Sequence, residues 1–145
     1  MDFAVEVVML PVSDIDRSKA FFQKLGWRLD ADFPSPNGDF RVVQFTPPGS
    51  ACSIAFGTVT AAAPGSQRVE VVVKDIEAAR ADVAGRGIEI SGVFHWANGL
   101  PHSTTEQPVP GPDPQRRSYL SYANFNDPDG NVFILQEITQ RLPGR

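Results

Sequence analysis

The stretch Val-Ser-Asp-Ile-Asp-Arg-Ser-Lys-Ala at residues 12–20 recurs 61 residues later as Val-Lys-Asp-Ile-Glu-Ala-Ala-Arg-Ala at residues 73–81. In each copy an apolar run ends at the valine, a capping segment with Asp-Ile follows, and a glycine, Gly26 or Gly87, closes the amphipathic stretch. An aspartate before a helix and a glycine after it are typical helix boundaries. One supersecondary unit is therefore used twice, and matching positions in the two halves can be compared.

Composition limits the class of protein. The chain has 145 residues, enough for one compact domain with its own core, and a net charge of -4, which argues against a nucleic-acid-binding surface. The single cysteine, Cys52, excludes an internal disulfide and a cysteine-cluster metal site. We expect no leader segment, and no apolar run approaches the roughly 20 residues that span a bilayer. We expect a cytoplasmic protein with no nucleic-acid or membrane partner.

Hydrophobic periodicity and turn residues predict the order βαβββ twice. In the first half, strands are predicted at 3–12, 27–33, 40–46 and 51–57, with a helix capped by Ser13 or Asp14 after the first. In the second half, a helix at 75–86 follows a strand at 68–73, and further strands are predicted at 88–94, 119–126 and 132–138. We expect a single domain over 1–145, with module 1 at 3–58, a linker at 59–66, module 2 at 67–138 and a tail at 139–145.

Residues 97–117 form an unusually long connection. They contain five prolines and two glycines and show no usable period. A connection of this length inside a compact domain is uncommon and is usually functional or disordered. The role of this loop stays open at the level of the sequence.

Three motifs carry a family resemblance: Leu-Pro-Val-Ser-Asp-Ile-Asp-Arg-Ser-Lys-Ala-Phe-Phe at 10–22, Lys-Leu-Gly-Trp at 24–27 and Phe-Asn-Asp-Pro-Asp-Gly-Asn at 125–131. Together with the repeat, they resemble the vicinal oxygen chelate superfamily, the group of glyoxalases, bleomycin resistance proteins and extradiol dioxygenases. The resemblance implies an α+β fold in which two βαβββ modules form a curled mixed sheet around an open cup. A ligand, and usually a divalent metal, lies in that cup.

The resemblance also implies four places for metal ligands. The residues found there are Val7 and Arg68 in the first strands of the two modules, and Ser53 and Ile134 after the turn glycines. None of these is His, Gln, Asp or Glu. Val and Ile have no lone pair, and a guanidinium only donates hydrogen bonds. We therefore predict no metal and no cofactor.

Strand parity indicates which side chains line the cup in the place of metal ligands. If Val7 and Ile134 face it, a period of two sends Met9, Glu70 and Gln136 to the same surface. Such an apolar floor with Arg68, Glu70 and Gln136 as polar points suits a small organic ligand. The alternative is that Arg68 and Glu70 pair with each other at a solvated rim.

Acid-base candidates lie around the long loop. His95 precedes Trp96, whose indole can stack on a flat ligand, and His102 lies inside the loop. Tyr119 is predicted to face the cup with Ser121, because residues two apart on a strand share a face. We assign His95, Glu70 and Tyr119 as candidate catalytic residues, and the candidate ligand-binding residues are Val7, Met9, Ser53, Arg68, Trp96, His102, Ser121, Ile134 and Gln136. The alternatives are surface exposure for the histidines and core or edge packing for the tyrosine.

Two functions compete. The first is a metal-independent isomerase, lyase or cyclase acting on a small organic substrate. The second is a non-catalytic resistance protein that binds an aromatic or cationic drug or metabolite. A metal-dependent glyoxalase or dioxygenase is a third reading, against which the ligand positions argue. We expect a homodimer, although the linker is long enough for the cup to close within one chain or by module exchange.

Overall fold

The computed structural model describes residues 1–58 and 62–141, so residues 59–61 of the predicted linker and residues 142–145 of the predicted tail lie outside the described part. The chain divides into two compact units. Unit 1 comprises residues 1–67 and 127–131, and unit 2 comprises residues 68–126 and 132–145. Each unit holds one helix on a mixed sheet, which confirms the predicted α+β fold class.

Unit 1 follows the predicted βαβββ order, with elements β1 Val7–Met9, α1 Ile15–Leu25, β2 Arg28–Pro34, β3 Arg41–Thr46 and β4 Ser53–Gly57. The strand order is β1-β4-β3-β2, with β1 parallel to β4. Helix α1 begins after Asp14, whose carboxylate accepts from the Arg17 backbone N–H, and ends at Gly26 with φ 82°. Its Phe22 ring lies 5.6 Å from that of Phe45 and 5.7 Å from that of Phe56, which forms the core of the unit.

Unit 2 repeats this arrangement with one extra strand: β5 Arg68–Val73, α2 Ile76–Gly85, β6 Phe94–His95, β7 Val109–Pro110, β8 Tyr122–Asn126 and β9 Val132–Glu137. The strand order is β5-β9-β8-β6-β7, with β5 parallel to β9. Helix α2 begins after Asp75, whose carboxylate accepts from the backbone N–H groups of Glu77 and Ala78. Strand β7 was not predicted and lies within the long loop 97–117.

Three strands are much shorter than predicted. The strand predicted at 3–12 is confined to Val7–Met9, and Phe3 and Val5 before it are exposed. The strand predicted at 88–94 is reduced to Phe94–His95 and an isolated bridge between Ile90 and Phe125. The strand predicted at 119–126 begins only at Tyr122, because Tyr119 has φ 70°, which is incompatible with an extended strand.

The turn at 127–131 is structural. The Asp127 carboxylate accepts from the backbone N–H groups of Asp129 and Asn131. The Asn131 side chain donates to the carbonyl of Pro11 and accepts from the backbone N–H of Gln67, so it fastens the turn within unit 1. Across residues 1–58 and 62–141, no helix has the length and apolar character needed to cross a membrane.

Candidate functional site

In unit 1 the sheet has one face packed against α1 and one face without a helix. Ile54 and Phe56 of β4 are buried on the helix side. Because side chains alternate along a strand, Ser53 lies on the opposite face, where it pairs with Val7, and Met9 pairs with Ala55. The exposed fractions of Val7 and Met9 are 39% and 36%. Three predicted ligand-binding residues, Val7, Met9 and Ser53, are thus neighbours on the helix-free face of unit 1.

Unit 2 has a corresponding helix-free face. Glu137 marks the helix side, because its buried carboxylate accepts from the Ile76 backbone N–H at the start of α2. Because side chains alternate along β9, Ile134 and Gln136 face away from α2, and the register places Glu70 beside Ile134. The same register pairs residue 68 with 132 and residue 72 with 136. The predicted residues Arg68, Glu70, Ile134 and Gln136 therefore share this face, and in the described part of the chain no salt bridge involves Arg68 or Glu70.

A row of aromatic side chains lies on the helix-free face of unit 2. The Phe94 ring stacks on that of Tyr122 with centroids 5.5 Å apart, and the Trp96 indole meets Phe94 edge-on at 6.1 Å. Phe94, Trp96 and Tyr122 are each partly exposed, and we call them the aromatic platform. Only Trp96 was predicted from the sequence. Phe94 could have been found, since it shares strand parity with Trp96.

Polar groups border the platform. The Tyr122 hydroxyl donates to the carbonyl of Tyr119 at 2.6 Å, and the Gln136 amide donates to the same carbonyl at 2.9 Å. Burial raises the pKa of the Tyr122 phenol above its usual value, and the nearby carboxylate of Glu70 acts in the same direction. The bond with Gln136 opposes this shift. Tyr122 therefore stays a neutral hydrogen-bonding group at physiological pH.

His95 faces away from the platform. Its parity is opposite to that of Phe94 and Trp96, its side chain is buried, and its Nδ1 lies 2.7 Å from the carbonyl oxygen of Gly111. A carbonyl only accepts hydrogen bonds, so Nδ1 carries the proton and Nε2 is the acceptor nitrogen of the neutral ring. The structure does not bring His95 and Glu70, two of the predicted acid-base residues, onto one face.

Tyr119 and Ser121 also differ from their predicted placement, whereas His102 lies in the long loop, as predicted. Ser121 is fully buried, and its hydroxyl accepts from the backbone N–H of Asp113 at 2.8 Å. Tyr119 lies outside the strand, so Tyr122, not Tyr119, presents its ring beside Phe94. His102 is exposed in the long loop, where its backbone N–H donates to Glu106. Whether these three residues contact a ligand stays a prediction.

The two arginines of the long loop are occupied by carboxylates. Arg117 lies 2.6 Å from buried Asp113, and this guanidinium lowers the pKa of Asp113 from 3.8 to about 2. Arg116 lies 2.5 Å from buried Glu137. The pair with Glu137 attaches the end of the loop to β9, whereas the pair with Asp113 lies within the loop itself.

Strand register corrects one of the four predicted metal-ligand positions. Ile134 pairs with Glu70, and the equivalent pair in unit 1 is Met9 with Ala55. The counterpart of Ile134 is therefore Ala55, and the assignment of Ser53 to this place was wrong by two residues. Ala has no ligand atom either, so the residues at these places do not fit a divalent metal. Within residues 1–58 and 62–141, no group of three or more His, Cys, Asp or Glu side chains is arranged to hold a metal ion.

Comparisons with known proteins agree with this fold. Residues 7–43 match the family described as bleomycin resistance protein-like N-terminal. A glyoxalase/bleomycin resistance protein from Streptomyces sp. CB03234 is 27% identical, with 92% of this chain and 100% of that chain covered and a TM-score of 0.65. TnmS3, an antibiotic-binding protein from the same organism, is also 27% identical, with 94% and 97% covered and a TM-score of 0.67.

A third solved structure is a member of the glyoxalase/bleomycin resistance protein/dioxygenase superfamily from Sphaerobacter thermophilus DSM 20745. It is 24% identical, covers 94% of this chain and 98% of its own, and has a TM-score of 0.62, which shows the common fold. No curated protein matches the chain by sequence. The duplicated βαβββ units, the motifs and these similarities support the assignment of the chain to the vicinal oxygen chelate superfamily of glyoxalases, bleomycin resistance proteins and dioxygenases.

Proposed function

We propose that the protein binds a flat aromatic small molecule without transforming it, as a drug-binding or metabolite-binding resistance protein. The observation that carries this proposal is the aromatic platform on the helix-free face of unit 2. Offset and edge-on ring contacts contribute about 0.5–1.5 kcal/mol each beyond area burial, so a row of three rings is a favourable surface for a planar ligand. The similarity to TnmS3, described as antibiotic-binding, supports the same proposal.

The surroundings of the platform suit a ligand of this class. Ile134 is buried beside it on the same face, and Val72 is 37% exposed next to Gln136. Apolar walls with a few fixed polar groups are typical of small-molecule sites. Glu70 and Gln136 are the polar groups that can orient a ligand here.

The separation of the acid-base residues favours binding over catalysis. General acid-base catalysis requires the groups to lie within hydrogen-bonding reach of the same reacting atoms. His95 points to the helix side of unit 2, Glu70 lies on the helix-free face, and Tyr119 lies outside the strand.

The test uses Trp96 as a reporter. The chain has two tryptophans, and a Trp27→Phe background leaves Trp96 as the one indole fluorophore. The phenylalanine at position 27 can still stack on the Phe22 ring, as Trp27 does. We expect acridine or anthraquinone to quench Trp96 saturably, and Phe94→Ala to weaken binding about tenfold. Phe33→Ala is the matched control, because Phe33 is an exposed aromatic residue of unit 1. Equal affinities of the Phe94 and Phe33 variants would contradict the proposal.

A metal-independent isomerase, lyase or cyclase is the second candidate. It is favoured by the Glu70 carboxylate, which shares the helix-free face with Tyr122 and forms no salt bridge in the described part of the chain, so that it could accept a proton from a substrate. The two candidates differ in what is recovered after incubation. NMR of the recovered compound shows an unchanged ligand for a binding protein, whereas an enzyme gives conversion that Glu70→Gln abolishes.

Metal independence is part of the proposal. The side chains at the four positions discussed above support it, because none supplies a metal ligand. We expect purified protein to contain substoichiometric divalent metal and its ligand affinity to be unaffected by a chelator. A stoichiometric ion that a chelator releases with loss of binding would contradict this.

We also propose a homodimer in the cytoplasm. The apolar segment before β1 supports self-association, since Phe3 is 91% and Val5 69% exposed, and exposed apolar patches mark interaction sites. A lone cysteine without a disulfide suits a reducing compartment. Sedimentation velocity is expected to show a dimer that Phe3→Asp weakens, and a wild-type monomer at micromolar concentration would refute it.

A further inference from the structure

A β-bulge places Asp30 of unit 1 on the helix-free face. Leu29 pairs with Phe45 and Ala31 with Gln44, so Asp30 is the extra residue between two ladder pairs. Bulges of this kind redirect a side chain. Asp32 lies on the helix side, where Lys19 of α1 donates to it at 2.8 Å.

Asp30 ends a chain of hydroxyl groups. The Thr46 hydroxyl hydrogen-bonds to Asp30 Oδ2, and the Ser53 hydroxyl lies 2.7 Å from Thr46 Oγ1. The bond from Thr46 lowers the pKa of Asp30, so its carboxylate is ionised at neutral pH and only accepts hydrogen bonds. Thr46 must therefore donate to Asp30, and Ser53 must donate to Thr46. The single proton of Ser53 is then committed, and its Oγ offers only lone pairs to a further partner.

The setting of this chain concentrates negative potential beside an apolar surface. The Ser53 and Thr46 residues are 7% and 4% exposed, and the Asp30 side chain is 18% exposed. Ser53 pairs directly with Val7 on the same face. A carboxylate with little exposed side-chain area interacts more strongly with a nearby charge than a fully exposed one, because less water screens it.

The present partner of Asp30 is replaceable. Arg28 Nε lies 2.6 Å from Asp30 Oδ1, but the Arg28 side chain is 72% exposed, and ion pairs with so exposed a member are weak. Thr46 and, at 3.5 Å, the Gln44 amide donate to the other carboxylate oxygen. A ligand cation could therefore take the place of Arg28 without disturbing the bond from Thr46.

We propose that Asp30 and Ser53 form a subsite in unit 1 for a primary ammonium group attached to an apolar body. The ammonium has three donors and no acceptor, which matches Oδ1 of Asp30 and the lone pairs of Ser53. The apolar body lies against Val7 and Met9. The subsite rests on the proposed function only in requiring that the protein binds a small molecule, and it is formed by residues of unit 1 alone.

The test compares three probes of one shape: 2-naphthylmethylammonium, 2-naphthylmethanol and 2-naphthoate. Dissociation constants are measured from the amide shifts of Met9, Thr46 and Ser53 in 15N-labelled protein. The ammonium is expected to bind about tenfold or more tightly than the alcohol, and the carboxylate most weakly, because hydrogen bonds to ionised groups are the stronger ones. Equal affinities of the three probes in the wild type overturn the subsite.

Two variants separate a ligand subsite from a self-contained structural cluster. Asp30→Asn keeps an acceptor for Thr46 and is expected to reduce the preference for ammonium over alcohol about tenfold. Arg28→Gln removes the competing cation and is expected to raise ammonium affinity severalfold. If the cluster has only a structural role, Arg28→Gln will not raise the affinity for the ammonium probe. An unchanged affinity of this variant overturns the subsite even if Asp30→Asn fails to fold.

Failure of this subsite is distinguishable from failure of the proposed function. Quenching of Trp96 by acridine reports the platform of unit 2 independently of the Asp30 probes. Saturable quenching together with no ammonium preference refutes the subsite alone. An ammonium preference without quenching by planar compounds refutes the platform proposal and retains the subsite.

Discussion

Replacing Glu137 by glutamine is expected to loosen unit 2. Glu137 is fully buried at the end of β9, and its carboxylate receives the Ile76 backbone N–H at 2.9 Å. Arg116 donates to it twice, from Nε at 2.8 Å and from Nη2 at 2.5 Å. One carboxylate thus joins the start of α2, the last strand and the end of the long loop.

The magnitude follows from these bonds. Hydrogen bonds to charged groups contribute about 1.5–3 kcal/mol, and breaking a fully buried ion pair costs about 3–5 kcal/mol. The upper range does not apply to Glu137→Gln, because the Arg116 side chain is 39% exposed and regains hydration. The amide oxygen of the introduced glutamine also still accepts from the Ile76 backbone N–H. We expect a loss of about 2–3 kcal/mol, or a Tm lower by about 5–10 °C.

Urea unfolding followed by circular dichroism measures this loss. Glu77→Gln is the matched control, because Glu77 meets the same arginine at 3.3 Å with a side chain that is 61% exposed, and it is expected to cost less than about 0.5 kcal/mol. Equal stabilities of the Glu137 and Glu77 variants would show that the buried carboxylate of Glu137 does not stabilise unit 2. The pH dependence has a definite sign, since Arg116 holds the pKa of Glu137 below 4.5: its contribution is present above that pH and is lost as pH falls through the folded value.

Three further perturbations test other parts of the structure. Ser18→Ala is expected to raise the free energy of unfolding by about 0.5–1 kcal/mol, because the buried Ser18 hydroxyl has no hydrogen-bond partner in the described residues, and a loss of stability would contradict this. Asp75→Ala and Asp14→Ala should each lower the free energy of unfolding by about 1 kcal/mol, because each variant loses the carboxylate that caps a helix. Thermal unfolding measures this loss, and an unchanged Tm would show that the caps do not stabilise the helices. Because Arg117 lowers the pKa of Asp113 from 3.8 to about 2, wild-type stability should fall as pH drops from about 4 to 2, and Asp113→Asn should make acid unfolding less steep in that window.

The repeated segment predicted much of the fold. Both helices begin after the expected aspartates, and the parallel pairs β1 with β4 and β5 with β9 follow from repetition of one unit. Parity along β5 and β9 also placed Glu70, Ile134 and Gln136 on one face. These features depend on local capping and on alternation, which a sequence displays directly.

The features that were missed depend on departures from regular backbone. Asp30 reaches the helix-free face because of a bulge, and a bulge shifts strand parity by one residue without a clear signal in this sequence. Tyr119 was predicted to face the cup because the strand was extended back to it, whereas its positive φ places it outside the strand, and Tyr122 lies on the helix-free face instead. His95 was placed beside a ligand from its chemistry alone, whereas its orientation is set by the carbonyl of Gly111.

Amide shift mapping of 15N-labelled protein titrated with acridine tests whether the helix-free face of unit 2 binds a planar compound on the aromatic platform. We expect the largest shifts to cluster at Phe94, Trp96, Tyr122 and Gln136 and to disappear in Phe94→Ala. Shifts concentrated on α2, or saturable binding that leaves these four residues unaffected, would contradict it.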